Sequence, residues 1–213
     1  MTTTALDPAT HDHQHGHQHE HDDNHGRPAA WVGAQRIELA DVDAEVTRLR
    51  SGPRAALLPL AGSAEGRQLR RWVTQTLVTR AVLEQEARRR GLGDGPPTAV
   101  VIPDRMAATT LGGVFVSVLR SSGPARAVYA DVVRGVTVTA AEVRAYLDRS
   151  GSTTPPDPEI AIELTEAHAR LTAARARQVY LDWLSARTAE LVRLEPGHEH
   201  PGDPHQPDAT HRH

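Results

Sequence analysis

The sequence predicts a mostly helical domain with a few short β-strands, flanked by disordered histidine-rich tails. Three observations lead there. Two segments, Glu65–Arg90 and Glu159–Arg187, carry apolar residues at the period of an amphipathic helix. Short β-prone stretches, Trp31–Ile37 and Ala189–Leu194, stand at either end of the body. Of 13 histidines, seven lie between His11 and His25 and five between His198 and His213, which leaves His168 alone in the middle. Residues 1–26 and 198–213 read as tails, and residues 27–197 as one domain long enough for a sizeable core.

Trp31-Val32-Gly33-Ala34-Gln35-Arg36-Ile37 predicts two very short strands around a glycine-containing turn. Asp41 is placed to cap a helix whose apolar face is Val42, Val46 and Leu49, ended by Gly52-Pro53. The loop Leu60–Ala64 leads into the first long helix. Its inner stripe is Leu69, Trp72, Val73, Leu77, Ala81, Leu83 and Ala87; Arg70, Arg71, Glu84, Gln85, Arg88 and Arg89 fall mostly outside. Gly91-Leu92 has the form of a Schellman stop. Val100–Pro103 reads as a short strand or a helix entry. Met106–Arg120 is open between helix and strand, because Gly112-Gly113 interrupts it while Val114–Leu119 suits either. Pro124 opens a helix with Val128, Tyr129, Val132 and Val133 on one face. Val136-Thr137-Val138 reads as a strand, and Thr139–Glu142 as a capping box opening a helix with Val143, Tyr146 and Leu147. The last long helix points Ile160, Leu164, His168, Leu171, Ala174 or Arg175, Val179, Trp183 and Leu184 inward, and Ala189–Leu194 closes the fold as a strand.

Composition excludes whole classes of chemistry. Without cysteine there are no disulfides, thiolate metal sites or cysteine nucleophiles. All 24 basic residues are Arg, so the P-loop, Schiff-base and kinase lysines are missing. A net charge of −3 offers no broad basic surface for nucleic acid. No apolar run is long enough for a membrane span, and MTTTALDPATHDHQ lacks the features of a secretory signal, so the expected location is cytoplasmic.

From His11 to His21 every second residue is histidine (His11, His13, His15, His17, His19 and His21), and His25 follows. On an extended chain this spacing puts imidazoles on one side about 6.6 Å apart. A pliable backbone can gather several around one Ni(II), Cu(II) or Zn(II) ion. The other end repeats the theme with His198, His200, His205, His211 and His213. A solvating low-complexity segment or a purification tag has the same composition.

Arg36-Ile37-Glu38-Leu39 followed by Asp41-Val42-Asp43-Ala44-Glu45-Val46 resembles the opening of SurA-type and PrsA-type chaperone domains. In that family a long helix ends in a run similar to Glu84–Leu92. Val136–Tyr146 is similar to its strand and Glu-Val-x-x-Tyr helix, and the closing helix and strand match its last element. The resemblance spans roughly residues 31–194. It implies a helical cradle for a peptide or protein client. Only Ser150–Asp157 stands where such proteins often carry a parvulin module, so prolyl-isomerase activity is not implied. Export, usual in the family, has no signal here.

Catalytic motifs are missing from the pattern. His168 sits on an apolar stripe without a His-Glu-x-x-His spacing, and the Ser of Gly62-Ser63-Ala64-Glu65-Gly66 is misplaced for a nucleophile elbow. Gly91-Leu92-Gly93-Asp94-Gly95 follows a helix, not a strand, and reads as a loop. The expected function is therefore client binding in an apolar groove between the two long helices, with Trp72, Trp183, Leu77 and Phe115 as its contacts. Two alternatives stand beside it: a metallochaperone or metal buffer working through the tails, and a biosynthetic enzyme on the same scaffold using carboxylates, Arg and residues such as Tyr129 or Tyr146.

Overall fold

A computed structural model describes residues 26–149, 157–200 and 203, with side chains of 157–163 left aside. Among these residues the fold is mostly helical with one small antiparallel sheet. Strands β1 (Pro28–Val32) and β2 (Gln35–Glu38) form a hairpin, with Trp31 opposite Arg36 and Gly33 at φ +58° in the turn. Strand β3 (Val192–Leu194) pairs with the other edge of β1, Trp31 facing Arg193, and gives the order β2-β1-β3. The outward Trp31 ring lies between the Arg36 and Arg193 guanidinia, each 5.3 Å from its centroid. Gly33 N–H donates to Leu191 O at 2.8 Å, which ties the hairpin to the end of the last helix.

Helix α1 (Leu39–Arg50) follows the hairpin directly. Asp41 does not occupy the cap position. It sits one turn in and accepts from Glu38 N–H at 3.0 Å, because the hairpin already supplies Glu38 as the cap residue. The long α2 (Ala64–Arg90) is capped by Ser63, whose hydroxyl accepts from Gly66 N–H. It stops at Gly91, φ +65°, where Leu92 N–H donates to Ala87 O as the sequence predicts.

Next come a single turn, α3 (Thr98–Val101), where strand or helix entry was open, then α4 (Arg105–Leu111) and α5 (Gly113–Ser121). The ambiguous Met106–Arg120 stretch is thus two helices. Gly112 parts them at φ +83°, a backbone region that a Cβ disfavours. Helix α6 (Gly123–Val133) has Pro124 in its first turn. Helix α7 (Ala140–Arg149) opens with the expected reciprocal bonds between Thr139 and Glu142. The 35-residue α8 (Asp157–Leu191) runs back to β3.

Val136–Val138 is not a strand. No neighbouring strand offers a ladder, and α8 side chains take its carbonyls instead: His168 Nε2–H donates to Val138 O at 3.2 Å and Arg175 to Thr137 O at 3.1 Å. The main core joins α2 (Val78, Val82, Leu83), α5 (Val118, Leu119), α6 (Val128, Tyr129) and α8 (Tyr180, Leu184). A second cluster packs α1 against α2 through Val42 and Val73, and a third packs α7 on α8 through Val143 and Ala167.

The inner face of α8 keeps Leu164, Leu171, Trp183 and Leu184 as expected and departs from the expectation at three positions beside them. Ala167, Ala176 and Tyr180 are buried, whereas His168, Arg175 and Val179 (38% exposed) are not. Tyr180 sets this phase by packing on Tyr129 with centroids 4.8 Å apart. Arg71, expected outside, is 5% exposed, because the segment after β3 crosses over it.

Candidate functional site: a cleft between the two long helices

Three elements enclose an open cleft of about 890 Å³. Helix α2 contributes Trp72, Gln75 and Thr79, at i, i+3 and i+7 and so on one face. Helix α8 contributes Leu181, Asp182, Leu184, Ser185, Thr188 and Ala189 across two turns. The α4–α5 break supplies Leu111 to Phe115. Because Gly112-Gly113 bears no side chains, the floor between Leu111 and Phe115 stays low. The lining is mainly apolar, with amide, hydroxyl and carboxylate groups spaced along α2 and α8. Such a surface suits an extended chain, whose apolar side chains seek the floor and whose amides seek the polar edges.

The segment after β3 reaches this cleft. Glu195 N–H donates to Ala29 O at 3.0 Å, and the chain then crosses α2. Gln75 donates to the His198 carbonyl at 3.1 Å, the His198 Nδ1 lies 3.2 Å from the Thr74 hydroxyl, and Glu199 stands 3.9 Å from Arg71. Burial, reinforced by the charges of Arg70 and Arg71, lowers the His198 pKa below its usual 6.5 against the opposing Glu199 and Glu195. His200 joins the cleft wall, and Asp203 N–H donates back to its carbonyl at 2.8 Å.

The four residues expected to contact a client are divided. Trp72 and Phe115 both line the cleft. Leu77 faces a shallow hollow beside α1, with Ile37, Ala44 and Ala81. Trp183 stacks near Tyr180 and under the Arg90 guanidinium, 5.0 Å from its ring centroid, outside the cleft. Of the expected metal ligands, His198 and His200 are placed on α2 and at the cleft. His11, His13, His15, His17, His19, His21, His25, His205, His211 and His213 lie outside the described residues. Among the described residues no three His, Asp or Glu side chains converge as a metal site. No helix among them is long and apolar enough to cross a membrane.

Residues 28–65 match the model of DUF7158, a family of unknown function. The match covers the hairpin, α1 and the entry to α2, and includes none of the cleft residues. No curated protein and no solved structure matches the chain.

A buried group outside the cleft lining, which the sequence reading passed over, ties α2 to α8. Glu86, 0% exposed, accepts from Arg187 on α8 at 2.5 Å and from Arg89 and Arg90 on its own helix at 2.9 and 3.1 Å. Arg90 continues to Asp131 on α6 at 2.7 Å, and Arg187 also pairs with Glu190. The Arg89 bond first, then Arg187 and Arg90, outweigh burial and lower the Glu86 pKa to about 2. The Glu86-x-x-Arg89-Arg90 spacing signals half of this bracket. Arg187 is 101 residues away and gives no local signal.

Proposed function

We propose that the protein binds an extended peptide or an unfolded protein segment in the α2–α8 cleft, as a chaperone-type domain of the SurA/PrsA kind without a parvulin module, acting in the cytoplasm. The observation that carries this reading is the open, largely apolar cleft with Trp72 and Phe115 on its walls. Binding would draw on apolar burial, about 25 cal/mol per Å², and on hydrogen bonds from Gln75, Thr79, Ser185 and Thr188, with no bond made or broken. The test is suppression of aggregation of a heat-unfolded client by the full chain. A double variant, Ser185→Arg with Ala189→Arg, fills the cleft from two exposed α8 positions. Wild type suppresses and the filled variant does not; equal suppression by both, or by neither, refutes the reading.

The alternating run His11–His21 favours a second reading, in which the histidine-rich ends hold Ni(II), Cu(II) or Zn(II) for storage or transfer. Calorimetric titration of the full chain tests it. A site tighter and more selective than a generic histidine-rich peptide supports it, and affinity falls below about pH 6 because ligation needs neutral imidazole.

A further inference from the structure

We propose that the cleft recognises the free C-terminal carboxylate of its peptide client and holds it at the N-terminal end of α5. The inference rests on the client reading and narrows it to extended chains presented by their C-terminal ends. Helix α5 begins at Gly113, and its cap residue, Gly112, has no side chain to offer. The first N–H groups of a helix lack partners within it, so those of Gly113, Val114 and Phe115 need acceptors from outside. All three residues line the cleft, and the positive end of the helix dipole opens on it. A Cβ built on Gly113 would stand 3.7 Å from Trp72 Nε1, so the indole N–H borders the same spot.

A second feature points to a ligand independently of the helix end. Thr79 is 7% exposed, lines the cleft and makes no side-chain hydrogen bond among the described residues. On the same helix Thr74 and Thr76 return their hydroxyls to the carbonyls of Arg70 and Trp72, at 3.1 and 2.9 Å. An enclosed hydroxyl left unpaired is unfavourable, and a ligand oxygen in the cleft would satisfy it. Backbone amides, an indole N–H and a hydroxyl are donors without a cation, the composition that captures a carboxylate in a backbone nest. No Arg is among the described lining residues, so a phosphate, with its higher charge, is poorly matched. Asp182 on α8, which accepts from Gln178 at 2.8 Å, repels an anion and so directs the carboxylate to the α5 end. Leu111, Leu181 and Leu184 favour an aliphatic last side chain.

The probe is a dye-labelled hexapeptide ending in leucine, as the free acid and as the C-terminal amide, titrated against the full chain by fluorescence anisotropy. The acid binds about tenfold or more tightly than the amide, the ratio expected of charge-assisted hydrogen bonds. In isotope-labelled protein the acid, and not the amide, moves the N–H signals of Gly113, Val114, Phe115 and the Trp72 indole. Gly113 lies in the helix without a positive φ, so Gly113→Ala is free of backbone strain and sets a methyl between the amides and the indole. It abolishes the preference for the acid while the melting point holds. Thr79→Val keeps the side-chain shape and weakens the acid about three- to tenfold but leaves the amide unchanged; equal weakening of both would make the hydroxyl merely structural and overturn its role. The proposal is overturned if acid and amide bind equally, if the acid does not bind, if the shifts fall elsewhere, such as α7, or if Gly113→Ala keeps the preference. Octanoate binding as tightly as the acid peptide would make the site one for fatty acids and overturn it too. Equal affinity for the two peptides with aggregation still suppressed removes this inference and leaves the client reading; a preference for the acid without suppression does the opposite.

Discussion

Glu86→Gln keeps the shape of the bracket between α2 and α8 and removes its charge. The native carboxylate is wholly buried and meets three guanidinia, while Arg90 keeps Asp131 and Arg187 keeps Glu190 after the change. A pKa lowered from 4.5 to about 2 corresponds to about 3.4 kcal/mol at about 1.36 kcal/mol per unit. The Arg89 bond contributes most, but its side chain is 60% exposed, so solvent screens its share. About 2 kcal/mol is a sound expectation, or a fall in Tm of roughly 4–8 °C for a domain of this size. The pH dependence checks the origin. A carboxylate whose folded pKa is depressed adds stability that is complete above the unfolded value and is lost as pH falls through the folded one. Wild type therefore loses the increment between about pH 4.5 and about pH 2. The Gln variant, having nothing to titrate at this site, loses correspondingly less over the same interval. A melting point unchanged at pH 7, or equal acid slopes for the two proteins, would refute the account of the bracket as an electrostatic link between α2 and α8.

Other perturbations probe the cleft and its surroundings. Gly112→Ala places a methyl in open space but holds a Cβ at φ +83°, so it costs about 1–3 kcal/mol through backbone strain alone, measured by urea unfolding. A neutral result would mean that the α4–α5 break relaxes. Tyr180 is fully buried and its hydroxyl has no partner among the described residues, and burial first, then Tyr129, raises its pKa. Tyr180→Phe should therefore be neutral or stabilising by about 1 kcal/mol; a clear loss would show that the hydroxyl is satisfied. His198 has a lowered folded pKa, so its docking is intact above about 6.5 and weakens as pH falls, when the free imidazole takes up a proton that Arg70 and Arg71 oppose in place. Histidine NMR titration reads this directly, and a His198 midpoint at or above 6.5 contradicts the docked arrangement.

What was legible in the sequence was local. The hairpin around Gly33, the stop at Gly91, the Thr139–Glu142 box and both long helices are encoded within a few residues of where they act. The errors share a physical origin in contacts between distant segments. Val136–Val138 has strand-forming side chains, yet a strand needs a partner edge, and α8 offers side chains instead. On α8 the apolar period picks Val179 and passes over Tyr180, which Tyr129 from α6 makes a core residue. Trp72 and Phe115 were legible as a pair of apolar groups near the groove. Asp182, Ser185 and Thr188 were not, since on α8 they resemble an ordinary solvated face until α2 and Gly112 are set opposite them.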